Sequence, residues 1–236
     1  MCHTGVVHVR QIEGRRLTFI VSGKLWRNSL VMQDKETGTL WSHVTGEALH
    51  GPLAGHRLRM LPVVQTTWRR WYAEHPDTKL LAKPHEIRSS RYADYFRDKR
   101  RAGLFRTEWL RRKMPAKTLV HGIRIGPHAL AVRDDRLKRG RFVQAELGGE
   151  PVVIVRAADG GVRAFAARAD GHRLTFRRGK KGVVTDRETG SRWDLARGMA
   201  AAGPLKGTRL EELPVQPAFW FAWSAFFPNT AVVDPS

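Results

Sequence analysis

Short apolar runs broken by glycine- and proline-bearing turns dominate this chain, a pattern that predicts strands rather than long helices. Val152–Arg156 reads as a short strand behind the turn Gly148-Gly149-Glu150-Pro151. Asp159-Gly160-Gly161 reads as a hairpin turn and Val162–Ala166 as the return strand. Gly5–Val9 matches that return strand near the start of the chain. Further strands are predicted at Leu17–Val21, Leu174–Phe176, Leu30–Gln33 and Val183–Thr185. Turns follow at Glu36–Gly38 and Glu188–Gly190, with Trp41 and Trp193 on the next strands. Gly46, Gly51-Pro52 and Gly55, and again Gly198, Gly203-Pro204 and Gly207, mark more turns before closing strands at Arg57–Pro62 and Arg209–Pro214. Helical spacing appears only after these. Trp68, Trp71 and Tyr72 fall at i, i+3 and i+4, with Thr66 or Thr67 able to cap and Pro76 to stop the helix. Trp220, Trp223 and Phe226 or Phe227 precede Pro228 in the same way. Both aromatic stripes are expected to pack against a sheet.

These parallels form a repeat. Asp34-Lys35-Glu36-Thr37-Gly38-Thr39-Leu40-Trp41 returns as Asp186-Arg187-Glu188-Thr189-Gly190-Ser191-Arg192-Trp193. An offset of 152 holds without a gap from Asp34 to Leu80, with 21 of 47 positions identical. Upstream, Gly14–Phe19 recurs as Gly171–Phe176 at an offset of 157. Two copies at this period imply two related units rather than a solenoid. The repeat signature is Asp34, Gly38, Trp41 and Gly46, with Asp186, Gly190, Trp193 and Gly198. Unit one is read as residues 1–81 and unit two as 118–236, joined by an ordered basic connector, 82–117, that carries Tyr92, Tyr95, Phe96, Phe105 and Trp109. Unit one has only the return strand of the hairpin, Gly5–Val9, which predicts an exposed sheet edge.

Composition narrows the partners. At 236 residues the chain can hold one large or two small domains. No apolar stretch reaches the roughly 18 residues of a membrane span, and no signal peptide opens the chain. As it stands the chain reads as cytoplasmic. One cysteine excludes an internal disulfide and any cluster needing two thiolates. The formal charge of +20, thickest at Arg97–Arg101 and Arg106–Lys113, points to weak, non-specific binding of a polyanion such as nucleic acid or an acidic surface. No helix-turn-helix, zinc-finger or RNP pattern accompanies it.

Several ordered phrases resemble an uncharacterised bacterial family, the domain of unknown function 3179. They include Cys2-His3-Thr4-Gly5, Leu17–Trp26, Asn28–Met32, Asp34–Trp41, Thr45–Ala48, Gly51-Pro52-Leu53, Trp68-x-x-Trp71, Tyr92–Arg97 and Lys117–Gly122. The resemblance spans nearly the whole chain and implies no activity. In that family a second cysteine usually stands three residues before the position of Cys2. Together with the absent front strand, this predicts that Met1 is an internal methionine of a longer product. The additional segment would supply a strand and a second cysteine, and could carry an export signal.

A further resemblance concerns shape. Gly149–Val155 with Val162–Phe165, and Gly190–Leu195 with Gly203-Pro204 and Leu213–Val215, look like the opening and closing halves of Rieske domains. The fold class expected is therefore mainly β: two Rieske-like antiparallel units with short terminal helical turns. The cluster itself is not expected. The ligand loops would fall at Asp34 and Thr37, at Asp186 and Thr189, and near Ala169–Gly171, where no Cys₂His₂ set exists.

Candidate chemistry is sparse. Cys2 and His3 pair a thiol with an imidazole, a combination that can bind a soft metal or cycle as a redox thiol. His43, His50 and His56, with Glu47, are peculiar to unit one; unit two has Leu195, Ala202, Thr208 and Met199 there. Such a set suits a transition metal, although its spacing fits no standard zinc motif. Asp34 and Glu36, with Asp186 and Glu188, are carboxylates beside a glycine turn. They suit acid–base work or, more simply, hydrogen bonds to the turn backbone. No phosphate loop, HExxH or GxSxG is present. Three expectations follow: a non-catalytic or metal/redox-linked β module working at the Cys2 end, a polyanion binder acting through the connector, or a metal-dependent enzyme using the histidines and carboxylates of unit one.

Overall fold

A computed structural model describes residues 2–82, 92–98, 101–103 and 114–234. Phe105, Trp109 and the basic run Arg106–Lys113 lie outside the described residues. The protein is mainly β, in several largely antiparallel sheets, with helices α1 (Trp68–Glu74), α2 (Ala93–Arg97) and α3 (Trp220–Phe226) among the described residues.

One ladder occurs in each half. Phe19–Trp26, Ser29–Asp34, Leu40–Ser42 and Ala48–His50 pair in sequential antiparallel order, as do Phe176–Arg178, Val184–Asp186, Arg192–Asp194 and Met199–Ala202. The registers correspond. Trp41 faces Ala48 across a bulge, and Trp193 faces Ala200 across another at the matching place. Bridges join Glu47 to Arg57 and Met199 to Arg209. The local cause is the Asp-x-x-Thr-Gly turn. The Asp34 carboxylate accepts the Thr37 backbone N–H at 2.6 Å, the Thr37 hydroxyl at 2.8 Å and the Trp41 indole N–H at 2.8 Å. Asp186 accepts the same three from Thr189 and Trp193, at 2.5, 2.9 and 2.8 Å. A single buried acid thus closes the turn and aims the tryptophan into the core, where Trp41 and Trp193 are both buried. Glu36 and Glu188 hold the preceding strand by accepting the N–H of Thr18 and Thr175, each at 2.8 Å. These carboxylates serve the framework.

The halves differ in what surrounds the ladders. Val162–Ala166 lies between Glu150–Arg156 and Glu212–Leu213. Its counterpart Val7–His8 pairs with Met60–Leu61, and among the described residues no strand takes the place of Glu150–Arg156. The second half has a further sheet, ordered Val215–Phe219, Leu119–Ile125, His128–Arg133, Ala231–Val233. Pro217 sits in its edge strand, where a missing N–H is tolerated. Leu119–Ile125, His128–Arg133 and Phe142–Leu147 are strands that the pattern of runs and turns does not single out.

This sheet decides the fate of the aromatic helices. All seven residues of α3 are buried, whereas α1 has no buried residue. The expectation that both stripes pack against a sheet is therefore corrected for α1. Helix α3 lies over Leu119–Ile125, and Gly122 leaves the space that Trp223 fills: a Cβ there would stand 2.2 Å from the indole. No such strand underlies α1 among the described residues. Thr67 does occupy the N-cap of α1, but its side chain makes no capping hydrogen bond.

Candidate functional site

The N-terminal stretch is anchored on the second half of the chain. The Cys2 carbonyl accepts the Phe219 N–H at 2.9 Å, and Cys2 packs with Tyr95, Phe219, Phe221 and Ala222. Its thiol donates to the Asn28 carbonyl at 3.1 Å. His3 adopts φ 57, and its ring stacks on Phe219 at 5.1 Å between centroids. Tyr95 brings α2 to this cluster. Its hydroxyl accepts the Gly103 N–H at 3.1 Å, and the Lys117 ammonium lies 3.6 Å from its ring centroid.

Beside this cluster is a cleft of about 650 Å³. Cys2 and His3 line it from the N-terminal stretch, His43 from the turn after Leu40–Ser42, and Leu30, Tyr92 and Phe96 add apolar surface. The structure thus brings together Cys2, His3 and His43. It does not bring His50 or His56 to them. His50 is exposed at the end of its strand. His56 bonds the Leu53 carbonyl and Glu13 at 3.0 Å each, and Glu13 raises its pKa. Glu47 faces Arg57 instead. Among the described residues no group of three or more His, Cys, Asp or Glu side chains is placed to hold a metal ion.

Burial sets the protonation states in the cleft. It raises the Cys2 thiol pKa, so the thiol stays protonated at neutral pH. It lowers those of His3 and His43, leaving neutral imidazoles with available lone pairs. Native Cys2 should therefore react with a maleimide on the order of a hundred-fold more slowly than in the denatured chain. Equal rates, followed by mass spectrometry, would contradict this burial.

A second polar cluster escapes sequence reasoning. His121, Asp134 and Arg156 come from strand, turn and strand: His121 Nε2 lies 2.7 Å from Asp134 Oδ1, and Arg156 donates to Asp134 and to the Leu137 carbonyl. They line a hollow of about 250 Å³ with Gln65, Arg70 and Asp159, and Gln65 also lines the Cys2 cleft. His121 falls in the phrase Lys117–Gly122, but no spacing ties it to Asp134 or Arg156. The His121 hydrogen bond and the Arg156 guanidinium pull the Asp134 carboxyl down from 3.8 to about 2 against its burial.

Acid should destabilise the protein in two stages. Below the ordinary imidazole value of 6.5, the unfolded chain takes up protons that folded His3, His8 and His43 resist, with His56 opposing. Asp134, Asp34 and Asp186 have folded pKa values below their unfolded ones, so the stability they confer is complete above about pH 4. For Asp134 it is lost as pH falls through about 2. Denaturation midpoints measured against pH should show both declines, and Asp134→Asn should flatten the second.

Fold and site define a β-rich protein with a mixed polar and apolar cleft where its N-terminal stretch meets Tyr92 and Phe96. The family described as Protein of unknown function (DUF3179) matches residues 1–230, and the chain belongs to it. No curated protein and no solved structure matches the chain. No helix among the described residues is long and apolar enough to cross a membrane.

Proposed function

We propose that this protein is a non-catalytic binding module and that the Cys2 cleft is its site. One observation carries the reading: groups from three separate segments, Cys2 with His3, His43, and Tyr92 with Phe96, line a single cleft of about 650 Å³. A recess of this size with apolar walls and a few polar groups suits a compact, uncharged ligand. Neutral imidazoles and the side chains of Thr4, Asn28 and Gln65 would orient it. The internal correspondence is read as two related units, with the second as structural partner to the first. Indole at millimolar concentration provides a probe. The imidazole proton signals of His3 and His43, assigned through His3→Gln and His43→Gln, should shift before those of His50 and His56. No shift, or equal shifts at all four, would end this reading.

A metal-linked reading would rest on Cys2, His3 and His43 lining one cleft, although among the described residues no group of three such side chains is placed to hold an ion. Co²⁺ distinguishes it: sulfur-to-cobalt charge-transfer absorption lost in Cys2→Ser would favour a metal site.

A separate hollow favours a polyanion reading. Arg141, Arg177, Arg178 and Arg187 surround about 280 Å³ with Phe142, Gln144 and Phe176, and among the described residues no acidic side chain lines it. Duplex DNA should bind weakly, without sequence preference, with a log–log salt slope of about −3 to −4. The Arg177→Gln/Arg187→Gln pair should reduce that slope by about 2. A sequence preference retained at physiological salt would contradict a purely phosphate-based contact.

A further inference from the structure

Helices α1 and α3 share their local construction but not their surroundings. Trp71 Nε1 donates to Thr78 Oγ1 at 2.9 Å, and Trp223 Nε1 donates to Thr230 Oγ1 at 2.9 Å. Around α3 a hairpin completes the structure. Leu119–Ile125 pairs antiparallel with Val215–Phe219, the segment entering the helix. His128–Arg133 pairs parallel with Ala231–Val233, the segment leaving it. The hairpin presents Gly122 to the Trp223 ring and leaves Trp220 and Trp223 each 1% exposed.

The corresponding flanks of α1 are residues 63–67 and 79–81, which form no strand. Trp68, Trp71 and Tyr72 are 47%, 42% and 49% exposed, and Leu80 and Leu81 are 70% and 89% exposed. Large apolar side chains grouped on one face mark an interaction surface. Two extended segments flank it: among the described residues the backbone of 63–66 and 79–81 makes no backbone hydrogen bond and is open to strand addition, while residues 63, 65, 66 and 67 also border the hollow beside His121 and Asp134.

We propose that this face accepts a β-hairpin from a polypeptide outside the present sequence. One strand would pair antiparallel with residues 63–67 and the other parallel with residues 79–81. A glycine would lie against Trp71, as Gly122 lies against Trp223. The hairpin's strands are apolar where they cover Trp68, Trp71 and Tyr72, in the manner of Leu119–Arg133. A second copy of this chain does not meet the requirement, because its own hairpin already covers its own α3.

The probe is a synthetic peptide of Leu119–Arg133, cyclised at its ends and added to the full chain labelled with 5-fluorotryptophan. Trp68→Phe and Trp71→Phe assign the fluorine signals. Signals of Trp68 and Trp71 should shift saturably while those of Trp220 and Trp223 stay fixed. A peptide carrying Gly122→Val should bind at least ten-fold more weakly, as should the wild-type peptide to the Trp71→Ala chain. Three results would overturn the proposal: no shift at Trp68 and Trp71, equal affinity of the two peptides, or signals that depend on protein concentration without peptide. The last would make a second copy the occupant.

Discussion

Asp186→Ala is expected to destabilise the protein by about 3–5 kcal/mol, with Asp34→Ala similar, because each leaves buried donors without an acceptor. The Trp193 indole N–H and the Thr189 backbone N–H both end on the Asp186 carboxylate, which is fully buried. Each unsatisfied buried donor costs about 1–3 kcal/mol, and loss of the turn adds to that. Asn is a poor replacement, since its amide group would face some of these donors with another donor. Asp194→Ala is the control: its carboxylate is partly exposed and accepts the nearby Ala196 N–H, so the loss should stay within about 1 kcal/mol. Urea denaturation reads all three. A loss below about 1 kcal/mol for Asp186→Ala would show that the turn and tryptophan do not depend on this acid.

Gly122→Val should be comparably severe. The position faces the Trp223 ring, with atoms 2.2–2.4 Å from an added Cβ. Trp223 cannot easily retreat, because it is buried and its N–H is held by Thr230. Overpacking of this kind costs about 3 kcal/mol or more when the neighbour is fixed. Trp223→Leu should partly relieve it, so the double variant should lose at least about 1 kcal/mol less than the two single losses combined. Trp71→Leu, at the corresponding place on exposed α1, should cost under about 1 kcal/mol in the isolated chain. If Gly122→Val retained wild-type stability, the close contact between strand and helix would be wrong. The proposed acceptor face on α1 would then lose its template.

What could be read without coordinates is what short segments decide for themselves. Asp34 and Trp41 are seven residues apart, and the turn between them carries both the glycine and the threonine that the acid binds. The same holds for Asp186 and Trp193, so matching phrases lead to matching ladders. The hairpin Val152–Arg156 with Val162–Ala166 was equally legible, because turn and apolar runs are contiguous. Of the candidate site, Cys2 and His3 stood out by chemistry. That His43 joins them while His50 and His56 do not could not be read from spacing alone. It depends on where the N-terminal stretch crosses the first ladder and on the anchoring of Cys2 by Phe219, far along the chain.

The sequence by itself determined a β-rich chain with corresponding turn-and-tryptophan ladders. Only the tertiary structure decided which aromatic helix is core and which is surface. Identical Trp-x-x-Trp spacing lets either helix form, but burial needs an opposing strand with a glycine at the contact. Tertiary structure alone also assembled His121, Asp134 and Arg156. Hydrogen bonds within a turn are written in adjacent residues, whereas contacts between distant segments depend on strand register and on the full set of packed neighbours.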